Sequence, residues 1–247
     1  HTCPRCHQTT RQNRTGRTQS GSQRYRCMHC GCKYTPEPKQ HGYPDEMRKQ
    51  AVQLYVDGMN LRRIARHLGI HHRTVSLWVQ ASAASLPEAP VPKEVKMAEM
   101  DELFTFIGHK KQIYILTLVD RQTRCYLGWK VVWERTQPAI QGMVDQAPKA
   151  KQYYSDAFDA YDRLWYHWGR YEISQGKTDT YSVEGDNAEL RHYLARLARS
   201  SRCFSRCPNA LACALRLFVF CYNRRQLYKQ RFPAYPAHVK DFLDPLF

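Results

Sequence analysis

Ala98-Glu99-Met100-Asp101-Glu102-Leu103-Phe104-Thr105-Phe106-Ile107 reads as a β-strand with a carboxylate in its middle, Asp101, beside Met100 and Leu103. Two more strands are expected after it, at 112–119 and 125–133, with turns at Gly108–Lys111 and Asp120–Arg124. A helix is expected over Gln137–Gln146, then a fourth strand, Lys151–Ser155, that ends at Asp156. A helix over Phe158–His167, a short strand over Tyr171–Ser174 and a long helix over Glu184–Arg199 complete the pattern.

Three meandering strands followed by alternating helix and strand is the order of an RNase H-like α/β domain. In that order one carboxylate belongs on the first strand, a second at the end of the fourth, and a third on a later helix. Asp101, Asp156 and Glu184 occupy those places. Carboxylates on rigid elements can hold two Mg²⁺ ions roughly 4 Å apart, an arrangement that drives in-line attack on a phosphodiester without a protein nucleophile. Asp156 has neighbours of the same type in Asp159 and Asp162, both expected inside the following helix, and Glu184 has Asp186 and Glu189. Arg191 lies seven residues after Glu184, hence on the same helix face, and is placed to meet a scissile phosphate. Asn187 and His192 lie on nearby faces.

Upstream, residues 81–97 are rich in Ala and Pro and read as a linker between this half, 98–247, and the first 80 residues. Residues 41–80 read as a helix-turn-helix. Pro44-Asp45-Glu46 opens a first helix, with Met47, Ala51, Val52, Leu54 and Tyr55 at helical spacing, and Gly58 ends it. Asn60 caps a second helix with Leu61, Ile64, Ala65 and Leu68 on its apolar face, and Gly69 makes the turn. A third helix, His72–Gln80, buries Val75, Trp78 and Val79 and offers His71, His72, Arg73, Thr74 and Ser76 to a DNA groove.

Residues 1–40 are too short for a hydrophobic core and need a staple. Cys3-Pro-Arg-Cys6 and Cys27-Met-His-Cys30 have the C-x2-C…C-x2-C spacing of a zinc ribbon. Four thiolates close a tetrahedron, so this zinc is structural. His7, His29 and Cys32 are the substitute ligands at hand. Arg24-Tyr25-Arg26 forms the strand leading into the second knuckle, and Arg5, Arg24 and Arg26 are candidate DNA contacts there, with Arg11, Arg14 and Arg17 nearby.

The charge agrees with a polyanionic partner. The 247 residues carry 38 Lys and Arg against 22 Asp and Glu, a net +16, which makes nucleic acid the first expectation. A second basic block, Arg191–Arg231, holds no acid and is expected to carry target or flanking DNA. The longest apolar stretch, Ala210–Tyr222, is interrupted by Arg216 and falls well short of a membrane span. The residues from His1 onward show no charged-then-apolar leader, and a first residue other than Met means the true start lies elsewhere; the remaining five cysteines are expected to be reduced thiols.

In this order of parts the chain resembles transposases of the insertion sequence one type, from short bacterial mobile elements. The matching strings are Cys3-Pro-Arg-Cys6, Glu99-Met-Asp-Glu102, Ser155-Asp156-Ala-Phe-Asp-Ala-Tyr161, Glu184-Gly-Asp-Asn187, and Leu190–Arg199 continuing to Phe204-Ser205. One departure is Ser155-Asp156-Ala-Phe where Thr-Asp-Gly-aromatic is usual. The resemblance implies that Asp101, Asp156 and Glu184 are the catalytic acids of a DDE domain. It implies catalytic Mg²⁺ or Mn²⁺ beside the structural Zn²⁺, double-stranded DNA with terminal inverted repeats as substrate, a homodimer or higher assembly, and a place in the bacterial cytoplasm at the nucleoid. Two other readings stand beside it: a zinc-ribbon transcription regulator without catalysis, and an RNase H-like nuclease without strand transfer. The fold class expected is multidomain: a small zinc ribbon, an all-α helix-turn-helix and an α/β RNase H-like catalytic domain.

Overall fold

Three short strands, β1 (Gln12–Arg17), β2 (Gln23–Cys27) and β3 (Lys33–Tyr34), make an antiparallel sheet in the order β1-β2-β3. In this computed structural model they belong to the first of two compact units, His1–Asp45, the second being Glu46–Phe247. The structure describes residues 1–38, 42–108, 111–174, 181–197, 203 and 205–244. The first unit buries little beyond Cys3, Tyr25 and Cys27, so its sheet has almost no apolar core.

The second unit opens with three helices, α1 (Asp45–Val56), α2 (Leu61–Leu68) and α3 (His72–Ser85). Each end has a local cause. Gly58 and Gly69 adopt φ of 95° and 66°, left-handed values that stop α1 and α2 at little steric cost. The Asn60 side chain accepts a hydrogen bond from the Arg63 N–H (3.0 Å) at the start of α2. At α3 the His71 ring nitrogen accepts from the Arg73 N–H (3.2 Å). Ala51, Val52, Ile64, Val75 and Val79 are buried in one core with Leu211, Leu215 and Phe218 of α6 (Pro208–Arg231). Burying each larger side chain is worth about 1.5–3 kcal/mol.

The sheet of this unit has β4 (Val95–Ile107), β5 (Lys111–Asp120), β6 (Tyr126–Val132), β7 (Ala150–Ser155) and β8 (Arg170–Ile173), in the order β6-β5-β4-β7-β8. The pairs β4–β5 and β5–β6 are antiparallel, whereas β7 runs parallel to both β4 and β8. One face packs on α6 and on α5 (Tyr181–Tyr193), and the other on α4 (Gln137–Gln146) through Met100, Leu118, Ile140 and Val144. This is the RNase H-like arrangement. Among the described residues no helix is long and apolar enough to cross a membrane.

Four expectations are corrected. Residues 81–97 are not a free spacer: 81–85 are the last turns of α3, with Ala83 buried, and 95–97 begin β4. Residues 158–167 form turns instead of a helix, because α4 side chains take their backbone groups. Gln141 accepts from the Trp165 N–H (2.8 Å) and donates to its carbonyl (3.0 Å), and Gln137 donates to the Arg163 carbonyl (2.6 Å). The long helix stops at Tyr193, and the chain turns at Leu194–Leu197. The Gly58 backbone packs against the His192 and Tyr193 carbonyls at that end, so α1 abuts α5 there. The fourth concerns the second basic block, whose cations serve the interior in several places. Arg196 donates to Ser205 and the Ala210 carbonyl, Arg216 to the Leu86 carbonyl, and Arg224 to the Phe242 and Asp244 carbonyls. The turn expected at Gly108–Lys111 includes 109–110, and the helix end expected at Arg199 lies beyond 197; both fall outside the described residues.

Candidate functional site

β4 is the rail on which the acidic site is built. Its parallel register with β7 pairs Met97 with Gln152 and Glu99 with Tyr154. The pairing ends at Glu99 and Tyr154, and β7 at Ser155; Asp101 and Asp156 each lie two residues beyond that last pair, near enough for the Asp156 charge to act on Asp101. Residues 99 and 101 share a strand face, and both reach α5. Glu99, with no exposed surface, accepts from the Val183 N–H (2.8 Å) through Oε2 and from Arg121 Nε (2.5 Å) through Oε1. Asp101 Oδ2 accepts from the Asn187 side-chain amide (2.6 Å), and Oδ1 from the Glu102 N–H (2.8 Å). Val183 and Asn187 are four apart and so lie one above the other on α5. A carboxylate at an N-terminal N–H also suits the positive end of the helix. Glu184, exposed, follows Val183 in this first turn.

The three acids share one electrostatic neighbourhood. Burial is the main cause that lifts the Asp101 carboxyl above the usual aspartate range; the charges of Asp156 and Glu184 add to it, against the hydrogen bonds from Glu102 and Asn187. Asp156 is exposed, and its Oδ1 accepts from the Phe158 N–H (3.3 Å). The turns that follow are tied down from the other face of β4: the Tyr161 hydroxyl donates to Glu102 (2.8 Å), and Arg135 stands 3.6 Å from Glu102 and 4.4 Å from the Phe158 ring centre. Asp159 and Asp162 are exposed on those turns. Asp186 is buried in a structural ion pair with Arg124, and Glu189 stands 3.7 Å from Arg225, so neither competes with Glu184 for the open side of α5. Arg191 is half-buried two helical turns beyond Glu184 and pairs with no acid among the described residues. His192 is exposed. Hard oxygen donors with uncompensated mutual charge suit a divalent cation such as Mg²⁺. Their ligand atoms are spread more widely than 4.8 Å, a spacing that only the cysteine set meets among the described residues.

The cysteine set is tighter. Cys3, Cys6, Cys27 and Cys30 bring all four sulfurs within 4.8 Å of one another, with Cys3–Cys30 at 3.6 Å and Cys6–Cys27 at 3.5 Å. A tetrahedron with Zn–S bonds of about 2.3 Å has an edge of about 3.8 Å, so the donors fit zinc. The knuckles repeat each other: the His7 N–H donates to the Cys3 carbonyl (3.0 Å) and the Gly31 N–H to the Cys27 carbonyl (2.9 Å), and both residues are left-handed, at φ 57° and 71°. Desolvation opposes the Cys27 thiolate, but the N–H groups of Cys30 and His29 and the Gln12 amide outweigh it and bring the thiol to about 6. At Cys6 the Gln8 N–H favours the thiolate, yet desolvation and three cysteine neighbours push it up to about 12. A bound divalent cation removes that repulsion. His7, His29 and Cys32 lie outside the set.

The expected DNA contacts are on the surface. Arg5, Arg24, Arg26, His71, His72 and Arg73 are exposed, and Thr74 and Ser76 partly so. His71 has a second duty as the cap of α3. Leu77, 56% exposed on the same outward side, was not foreseen. Sequence reasoning also missed Glu99, Thr117 and Arg124. Glu99 was legible from its spacing, two residues before Asp101 on an alternating strand. Thr117, paired with Asp101 across β4–β5 and donating to its carbonyl (3.0 Å), and Arg124 have no local signal.

Comparison with known proteins gives two family matches. Residues 44–88 match a homeodomain-like domain, and residues 95–218, half of the chain, match the IS1 transposase family. Among solved structures, one described as the crystal structure of the catalytic core domain of BIV integrase is similar at 16% identity and a TM-score of 0.35, over 48% of this chain and 80% of that chain. No curated protein matches.

Proposed function

The chain belongs to the IS1 transposase family, and we propose that this DNA transposase breaks and joins DNA at Asp101, Asp156 and Glu184. The observation that carries the reading is the doubly pinned β4–α5 pair: Glu99 on Val183 and Asp101 on Asn187 hold Glu184's turn beside β4, where the charges of Asp156 and Glu184 both act on Asp101. Divalent Mg²⁺ or Mn²⁺, when bound there, supplies Lewis-acid activation of the attacking oxygen and charge neutralisation at the leaving oxygen.

The residues of the chain do the rest. Asp101 is held rigid by two hydrogen bonds, so its free lone pairs keep one direction. Asp156 and Glu184, both exposed, leave the approach open to a duplex. Arg191 offers a charged fork to a phosphate two turns from Glu184. Residues 41–80 read the terminal repeats through α3, whose His72, Arg73, Thr74, Ser76 and Leu77 face a groove, while the zinc-loaded residues 1–40 add Arg5, Arg24 and Arg26 to backbone phosphates. Residues 98–247 carry the chemistry. Joining two ends calls for two copies of the chain, hence a homodimer or larger assembly working on DNA in the bacterial cytoplasm.

Labelled terminal-repeat DNA incubated with Mg²⁺ tests the reading. Nicking followed by joining, lost in Asp101→Asn while binding persists, is the result expected. Nicking without joining would make the protein a nuclease, and binding without cleavage a regulator.

A further inference from the structure

The four residues Glu184-Gly185-Asp186-Asn187 present a puzzle. A glycine inside a helix costs about 1 kcal/mol relative to alanine, yet Gly185 sits in α5 directly after the acid read as a metal ligand. Its surroundings give the reason. A Cβ built on Gly185 would stand 2.7 Å from Arg124 Nη2. The guanidinium passes over this bare backbone to reach Asp186 in a bidentate pair, Nε–Oδ2 3.0 Å and Nη2–Oδ1 3.1 Å, and Nη2 also donates to the Ser182 carbonyl (2.7 Å). Tyr222 of α6 donates to the same carboxylate at Oδ1 (2.8 Å), and the Tyr126 hydroxyl to the Asp186 carbonyl (2.7 Å).

Arg124 is itself held in an uncommon state. It has φ 64°, a left-handed value rare for a residue with a side chain. The turn that imposes it is closed by Asp120, which accepts from the Thr123 N–H (2.8 Å) and hydroxyl (2.6 Å), while the Arg124 N–H donates to the Asp120 carbonyl (2.8 Å). The strain therefore aims one cation from the β5–β6 turn at the first turn of α5.

We propose that Arg124 is a positioning residue for Glu184, and that Gly185 is glycine so that the Arg124 guanidinium can clamp Ser182 and Asp186 on either side of that acid. Glu99 and Asp101 fix the inner face of α5 through Val183 and Asn187; Arg124 fixes its flank. The glutamate is then presented in one orientation by a helix turn that cannot rotate. The proposal rests on the reading of Glu184 as a metal ligand.

The test uses the zinc-loaded full chain, with Mn²⁺ as probe. Mn²⁺ affinity is measured by electron paramagnetic resonance, and amide exchange over residues 182–187 without Mn²⁺. Arg124→Ala and Gly185→Ala are each expected to weaken Mn²⁺ binding about tenfold and to speed exchange in that turn. The double variant is expected to be no weaker than the weaker single, because the added methyl then occupies the space the guanidinium left. Arg124→Lys, which keeps the charge but not the fork, should behave like Arg124→Ala and covers the case in which alanine fails to fold. Val144→Ala, on the buried face of α4, should lose stability without moving Mn²⁺ affinity. Unchanged exchange and affinity in the Arg124 variants, or full additivity with Gly185→Ala, would overturn the clamp. Glu184→Gln separates the premise: if it binds Mn²⁺ as tightly as the wild type, the ligand reading of Glu184 fails, and the proposal with it, whatever the exchange shows.

Discussion

The two metal candidates of this chain are built in opposite ways. The cysteine site takes all four donors from two knuckles 27 residues apart at most, and its unit has almost no core to hold it in shape. The carboxylate site takes its donors from β4, the end of β7 and α5, and those elements are fixed by a large core, by strand register and by buried polar bonds. In the first a bound ion would organise the protein; in the second the protein is already organised before any ion arrives. Stability and metal binding should therefore be one property in the first unit and two in the second.

Several outcomes can break or sharpen that contrast. The largest is expected from Cys27→Ser or a strong zinc chelator: the first unit should lose its fold completely, while the helical circular dichroism of the second persists. A first unit that stays folded without zinc, seen by nuclear magnetic resonance of Tyr25 and Tyr34, would abolish the contrast. Next, Asp101→Asn, Asp156→Asn or Glu184→Gln should lower cleavage on the order of 1,000-fold or more, equivalent to the several kcal/mol that a bound metal contributes. Thermal unfolding and end binding should barely move; joint loss of binding in all three would count against them as ligands.

Acid should act in opposite directions on Asp186 and on the cysteine site. Burial lifts the Asp186 carboxyl from the ordinary 3.8 to about 6, against its bonds to Arg124 and Tyr222. Between those values the folded state holds the extra proton, so this group's contribution to stability is full below about pH 4 and is lost as pH rises through 6. In the first unit protons compete with zinc for thiolates, so lowering the pH from 7 to 5 should release the metal. Zinc release and the pH slope of unfolding, wild type against Asp186→Asn, measure both signs. The smallest effect is expected at Asn187→Ala, which removes one bond to Asp101 and should weaken Mn²⁺ binding about tenfold with no change in DNA affinity.

The legible parts of the molecule are those whose signals are local. The C-x2-C pairs, Asn60 as a cap, Gly58 and Gly69 as stops, and the alternation around Asp101 each act through atoms a few residues away, so spacing alone carried them. The failures share one cause. The segment 158–167 has helical spacing but forms turns, because Gln137 and Gln141 of α4 satisfy its backbone from outside. Arg196, Arg216 and Arg224 count as free surface charge in a sequence and are bonded to backbone carbonyls in the fold.

The sequence by itself determined the cysteine quartet and the three short helices, and it marked the acids to be tested, because residue type and short-range geometry suffice for these. Only the tertiary structure decided which acid on α5 faces outward: Glu184 and Asp186 are chemically interchangeable in a string of letters, and they part only when Arg124, sixty residues earlier, buries one of them and leaves the other in the open. A long-range ion pair has no periodicity of its own, so no local rule could have drawn that distinction.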